Sequence, residues 1–333
     1  MKTLKPSRSP GNISPTLDSL MTLYRLSNQS EGKSPDTVTW YTDILKAYES
    51  FTKAQLRLDD LTGFSINAAR QYILYLRGKP KYADHPFIAE KAQPVSPKTV
   101  QCHVRAMKAF STWLYLEGYT QQNILQHLKM PKAPTKLIEP LTPHEINKIL
   151  ISTNKKTYCG ERNHALLVTL LDSGLRSAEA ASITLDNLNL KDGYIKVIGK
   201  GAKERIVPIG KFVQMELMHY IEKTRPQPTS GGYKRLFLSR GGNPITRNTL
   251  KLVFSRVAKE SGVKRLHAHL CRHTFAINYL LNGGDIFSLK NILGHTSLDM
   301  VNHYLHFTST QITAQHRKYS PMDKLQKEEA IPS

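Results

Sequence analysis

Acidic residues are scarce in this 333-residue chain: 26 Asp and Glu stand against 47 Lys and Arg, for a formal net charge of +21. That excess is far beyond what solubility needs, and the polyanion it most often serves is nucleic acid, with an anionic membrane surface as the rival. The imbalance is not a basic tail. Up to Glu139 there are 19 basic and 11 acidic residues, and after it 28 and 15, so both halves are positive. A ligand gripped from two sides follows more naturally than a neutral globule with a charged extension.

Cysteine is equally sparse. Cys102, Cys159 and Cys271 are odd in number and far apart, with no C-x-x-C pair, which argues against a disulfide framework and against a zinc module. No run approaches the roughly 18 apolar residues of a membrane span, and Met1 to Asn12 have no apolar signal-like segment. A soluble protein of a reducing, intracellular compartment is expected. Internal repeats, low-complexity tracts and nucleotide-binding motifs are missing as well.

What is present begins with legible helix starts. Ser14-Pro15, Ser34-Pro35 and Ser96-Pro97 each place a capping hydroxyl before a proline suited to the first helical position. Apolar faces follow at helical spacing: Leu17, Leu20, Met21 and Tyr24; Val38, Tyr41, Leu45 and Tyr48; Ile66, Ala69, Ile73 and Leu76; and Val100, Val104, Met107, Ser111 and Leu114, with Gly118 ending the last. Residues 14–130 therefore read as a bundle of four or five helices behind a disordered tail, 1–13. The stretch from Arg77 to Val95 reads as a long connection whose Lys79, Lys81 and Lys91 suit phosphate contacts. A solvated surface loop is the plain alternative.

Residues 131–139 form a linker rich in proline and lysine. Thr142-Pro143-His144-Glu145 is a capping box that opens the next unit, 140–309. There His164 to Leu171 and Ala178 to Ser182 suit helices, and Tyr194 to Ile198 and Arg205 to Ile209 alternate as a hairpin. The pattern then turns helical again, at Thr249 to Ser261, Thr274 to Leu281 and Phe287 to Leu293. The fold class is thus mainly α with a small β-hairpin or sheet, followed by a tail, 310–333.

Residues suited to phosphate chemistry are spread through this second unit. Arg176 follows a glycine turn at a helix start, with Glu179 one turn on to pair with it. Lys200 lies in a Gly-Lys-Gly turn. His269 and Arg272 would share a face of a helix, and His295 follows Gly294. A tyrosine such as Tyr304 is a poor nucleophile at neutral pH unless cationic groups favour its phenolate. His267, His269, His273, His295, His303 and His306 raise a metal site, but no H-E-x-x-H is present and carboxylates are few around them, so no metal is expected.

Arg-x-x-Glu after Gly-Leu, the Gly-Lys-Gly hairpin, His-x-x-Arg-His-Thr-Phe-Ala, Leu-Gly-His, and Tyr-x-His nine residues later together resemble the tyrosine recombinases, or phage integrases. The resemblance spans Thr142 to about Phe307, and the first half is similar to the family's SAM-like core-binding domain. It implies a cytoplasmic, nucleoid-associated enzyme that exchanges DNA strands at specific sites, in integration, excision or resolution, through a 3′-phosphotyrosyl bond to Tyr304.

By the same resemblance Arg176 and Arg272 grip the non-bridging oxygens and His295 adds a hydrogen bond. Lys200 protonates the leaving 5′-oxygen, His269 helps manage the nucleophile's proton, and Glu179 supports the site. Expected partners are double-stranded recombination sites, a dimer on each and a tetramer in synapsis, with accessory DNA-bending proteins and no cofactor. Lys98, Arg105, Lys132, Lys136, Lys203, Arg205 and Arg247 join the three loop lysines as expected DNA contacts. No arm-binding domain of the kind some integrases carry is expected before the first helix, and an Xer-like, two-domain member is the expected nearest match. Cys271 stands where leucine is usual, so looser packing is expected there. A type IB topoisomerase shares the chemistry without joining two duplexes, and a catalytically silent DNA-binding protein shares the fold.

Overall fold

The computed structural model describes residues 16–83, 89–134, 138–199, 204–229 and 234–294, with isolated positions beyond. The chain divides into two compact units, Met1–Lys136 and Leu137–Ser333.

Among its described residues the first unit holds four α-helices: α1 (Leu17–Ser30), α2 (Pro35–Phe51), α3 (Ile66–Gly78) and α4 (Pro97–Leu116). Ser34 and Ser96 cap α2 and α4 as the sequence suggests, their side chains accepting from Thr37 N at 3.3 Å and Thr99 N at 3.1 Å. α1 differs. Its cap is Thr16, which accepts from Ser19 N, while Ser14 and Pro15 lie outside the described residues. The four apolar faces meet in one core in which Leu20, Tyr48, Ala69, Val104, Met107, Phe110 and Leu114 are fully buried. Aromatic rings fill its centre: Tyr24 lies 5.2 Å from both Phe110 and Trp113, and Tyr48 5.1 Å from Tyr72.

The connection read as a loop is partly a ribbon. β1 (Pro80–Lys81) pairs antiparallel with β2 (Lys91–Pro94), and Lys81 stands opposite Lys91. The prolines and the exposed residues of β2 conceal this from an alternation test, because β2 has no buried face to alternate with an open one. α3 also runs to Gly78, so Arg77 belongs to the helix.

In the second unit α5 (Pro143–Ile151) opens on the expected capping box: Thr142 Oγ1 accepts from Glu145 N, and Glu145 Oε2 accepts from Thr142 N at 2.8 Å. α6 (Tyr158–Ser173) starts six residues before the apolar run does, because Thr157 caps it and its polar first turn is buried but satisfied. Arg162, for example, donates to Leu238 O and to Asn163 Oδ1. α7 (Ser177–Ser182) follows.

A three-stranded antiparallel sheet comes next, ordered β3 (Leu188–Asn189), β4 (Tyr194–Ile198), β5 (Glu204–Pro208). β3, two residues long, carries no periodicity and was not expected. β5 begins and ends one residue earlier than the alternation implied. α8 (Lys211–His219), α9 (Arg247–Ser261), α10 (Ala268–Leu281) and α11 (Ile286–Leu293) complete the described unit. α9 begins two residues early because Thr246 caps it, and α10 begins six early, ahead of Thr274. The core gathers around α6, whose Leu166, Leu167 and Leu170 are wholly enclosed. Cys271 is also fully buried there, and burial pushes its thiol up to about 12, which makes it an inert apolar filler.

Candidate active site

Arg176 and Arg272 are brought together by two tight turns. α6 ends at Gly174, in the left-handed region at φ +61°, and two residues later Arg176 is the N-cap of α7. α11 likewise ends at Gly294, at φ +64°. Arg272, on the first turns of α10, is 2% exposed and bridges both ends, its Nη1 donating to Gly174 O at 2.8 Å and its Nη2 to Leu293 O at 2.7 Å. Arg176 Nη2 reaches the next carbonyl, Gly294 O, at 3.4 Å.

Glu179 orients Arg176 as the i, i+3 spacing suggested. Its Oε2 accepts from Arg176 N and its Oε1 from Arg176 Nη1, each at 2.8 Å. The carboxylate is buried, and burial by itself would raise its pKa, but the hydrogen bonds it accepts from Arg205 and from the Arg176 backbone, with the positive charge of Arg205, hold it below the ordinary glutamate value.

Arg205, expected among the DNA contacts, has a side chain that is only 12% exposed and turns inward. Nη1 and Nη2 donate to Glu179 Oε1 and Oε2, both at 2.9 Å, and Nε donates to Ile292 O at 2.8 Å. The buried carboxylate, a stronger acceptor than water, draws the guanidinium in. Sequence alone could not pair these residues, because Glu179 is 26 positions away and Ile292 is 87. The last three carbonyls of this helix end, Ile292, Leu293 and Gly294, thus each accept from a different arginine, a charge distribution that also suits the negative end of the helix dipole.

His269 lies one turn before Arg272 on α10. Its ring is lowered from the ordinary value of 6.5, first by partial burial and then by the positive charges of Arg272, His267, His273 and Arg176. His273 and Thr274 face the other way and hold the entry to the unit: His273 Nε2 donates to Ile138 O, and Thr274 Oγ1 accepts from Leu141 N at 2.9 Å. Lys200, His295 and Tyr304 lie outside the described residues, which end on either side of Lys200 at Gly199 and Glu204 and stop at Gly294 just before His295.

Among the expected DNA contacts, Lys98, Arg105, Lys132 and Arg247 are exposed. On the ribbon, Lys81 and Lys91 both rest over the ring of Tyr82, at 5.0 and 5.9 Å, and Lys79 lies over Tyr75 at 5.2 Å. Lys136 and Lys203 fall outside the described residues. No helix among the described residues is long and apolar enough to cross a membrane.

Residues 139–311 match the model of the phage integrase family. The chain belongs to that family. It is 31% identical to the tyrosine recombinase XerD of Listeria monocytogenes serovar 1/2a over 68% of this chain and 77% of the relative. Against XerD of Listeria innocua serovar 6a it is 28% identical over 87% of this chain and 94% of that one. In fold it resembles the Tn1549 transposon integrase in complex with transposon right end DNA, at TM-score 0.70 and 20% identity, covering 90% of this chain and 99% of that one. A lambda integrase dimer bound to a core site aligns at TM-score 0.66 and 18% identity, over 87% and 95%.

Proposed function

We propose that Arg176 and Arg272 together hold the two non-bridging oxygens of a scissile DNA phosphate while Tyr304 attacks the phosphorus. The chain is a tyrosine site-specific recombinase by family. What supports these roles most is that two arginines distant in sequence are tied to consecutive carbonyls, Leu293 and Gly294. Fixed donors of this kind stabilise the charge that builds on the oxygens of a five-coordinate transition state, and they need no reorganisation as it forms.

In the first step the Tyr304 oxygen bonds to phosphorus and the bond to the 5′-oxygen breaks, leaving a 3′-phosphotyrosyl link and a free 5′-hydroxyl. The leaving oxygen takes its proton from Lys200. His269, held below its ordinary pKa, is neutral near pH 7 and so is able to take the phenol's proton. His295 donates to the same phosphate. A 5′-hydroxyl from a second duplex then attacks the link and frees Tyr304, so the energy of the broken bond is conserved and no cofactor is consumed.

The partner is double-stranded DNA carrying a recombination site, bound as a dimer on each site and a tetramer across two, with accessory bending proteins. Most of the affinity comes from phosphate contacts, to which the exposed Lys98, Arg105, Lys132 and Arg247 and the ribbon lysines contribute. A nicked suicide substrate tests the chemistry: the wild-type chain becomes covalently attached to DNA and Tyr304→Phe does not. If neither variant attaches while both bind tightly, the enzymatic reading fails. If wild type attaches and relaxes plasmids lacking any special site without exchanging strands, the activity is that of a topoisomerase.

A further inference from the structure

Resting on the recombinase reading, we infer that Arg205 is a positioning residue for the reaction, acting on the phosphate through Glu179 and Arg176. Glu179 is shared between two guanidinium groups. Arg205 holds both its oxygens in a fork at 2.9 Å, which fixes the plane of the carboxylate, and Arg176 Nη1 meets Oε1 at 2.8 Å from the open side. The side chain of Arg205 is 12% exposed and that of Arg176 is 42% exposed, so the buried guanidinium anchors and the outer one faces solvent.

Charge gives the arrangement its purpose. A single carboxylate between two guanidinium groups leaves one net positive charge. Because Arg205 takes up both oxygens of Glu179, Arg176 is held by its backbone N–H and one side-chain nitrogen and keeps an outward edge uncommitted to the carboxylate. Without Arg205 the carboxylate would be free to turn and form a two-pronged pair with Arg176. That pair would neutralise the charge a phosphate needs and swing the guanidinium away.

Arg205 is itself seated by a third element, since its Nε donates to Ile292 O at 2.8 Å. A Cβ at Gly294 would stand 3.0 Å from that Nε, so the glycine leaves room for the seat. Lysine cannot replace this residue, because a point charge has no fork to hold both oxygens and no edge left for Ile292.

The test uses the full chain and single-turnover cleavage of a nicked suicide substrate. Arg205→Ala is expected to cleave about a hundredfold more slowly than wild type, the scale for losing one fixed transition-state donor, with DNA affinity nearly unchanged. Arg205→Lys keeps charge and volume, guards against misfolding, and is expected to remain at least about tenfold slow.

A methylphosphonate at the scissile position then separates positioning from general damage, since it removes the charge that Arg176 must neutralise. On it both variants should approach the wild-type rate. In an Arg176→Ala background, adding Arg205→Ala should cost less than about threefold more, as expected for two residues acting through one path. A deficit that persists on methylphosphonate, or effects that multiply in the double variant, would overturn the assignment, as would full activity of either Arg205 variant. If wild type itself forms no covalent product, the recombinase reading fails first, and that outcome is read from the control lane alone.

Discussion

Gly174, the C-cap of α6, packs so closely against Leu293, the last residue of α11, that no side chain fits at the glycine. A Cβ at Gly174 would stand 2.9 Å from Leu293 Cδ2 and press into the ring of Phe275. Their carbonyls both accept from Arg272.

Gly174→Ala is therefore expected to act twice. The left-handed conformation at φ +61° costs a side chain about 1–2 kcal/mol, and overpacking against Phe275 and Leu293 adds about 1–3 kcal/mol. Because the carbonyl that seats Arg272 must move, cleavage should fall further than stability does. Urea unfolding and the suicide-substrate assay on one preparation check this, and a variant as stable and active as wild type would refute it.

Glu179 makes stability depend on acid. Its folded pKa lies below the ordinary value of 4.5, so its contribution is complete above that value and is lost as pH falls through the folded pKa. Glu179→Gln, which leaves two guanidinium groups facing an amide, should cost about 3 kcal/mol at pH 7, the low end of the range for a broken buried pair because Arg176 is partly exposed. Guanidinium unfolding at pH 7 and in acid should show the gap between variant and wild type closing below 4.5. A gap independent of pH would argue against it.

The capping box of α5 offers a second titration. The hydrogen bond from Arg265, then that from Thr142 N, draws Glu145 down to about 2. Arg265→Ala should move its titration back toward 4.5, read by NMR of the side-chain carboxyl. Thr142→Ala should cost about 1 kcal/mol at neutral pH, as is usual for a lost N-cap. No movement of the Glu145 titration would mean that Arg265 does not pair with it in solution.

On the ribbon, replacing Lys79, Lys81 and Lys91 with glutamine should weaken DNA binding without changing which site is preferred. Each lost phosphate contact lowers the slope of log affinity against log salt by about 0.9. Fluorescence anisotropy with site-bearing and random duplexes across a salt series would measure it. An unchanged slope would remove the ribbon from the interface.

Much of the scaffold was legible in the sequence where the signal is local. Ser34, Ser96 and Thr142 marked helix starts because a capping hydroxyl and its target N–H lie three residues apart, and the face of Val100, Val104, Met107 and Leu114 is buried as its spacing required. The Arg176 and Glu179 pair was readable for the same reason. The first turns of α6 and α10 were not, because their polar residues are satisfied by chain far away, as Arg162 is by Leu238 O. The pairing of Arg205 with Glu179 is hidden for the most distant reason of all: a surface-type residue next to a basic turn gives no sign that a buried carboxylate will claim it.

The helix end at Ile292, Leu293 and Gly294 has a consequence for when this chain becomes able to cut. Its three arginines come from β5, α10 and the start of α7, so the cap is complete only once separate parts of the domain have folded onto one another. An α11 that detaches leaves Arg272 without one carbonyl and Arg176 and Arg205 without theirs. A partly folded chain is thereby a disarmed one, and the ability to cut DNA arrives together with the structure that seats its arginines.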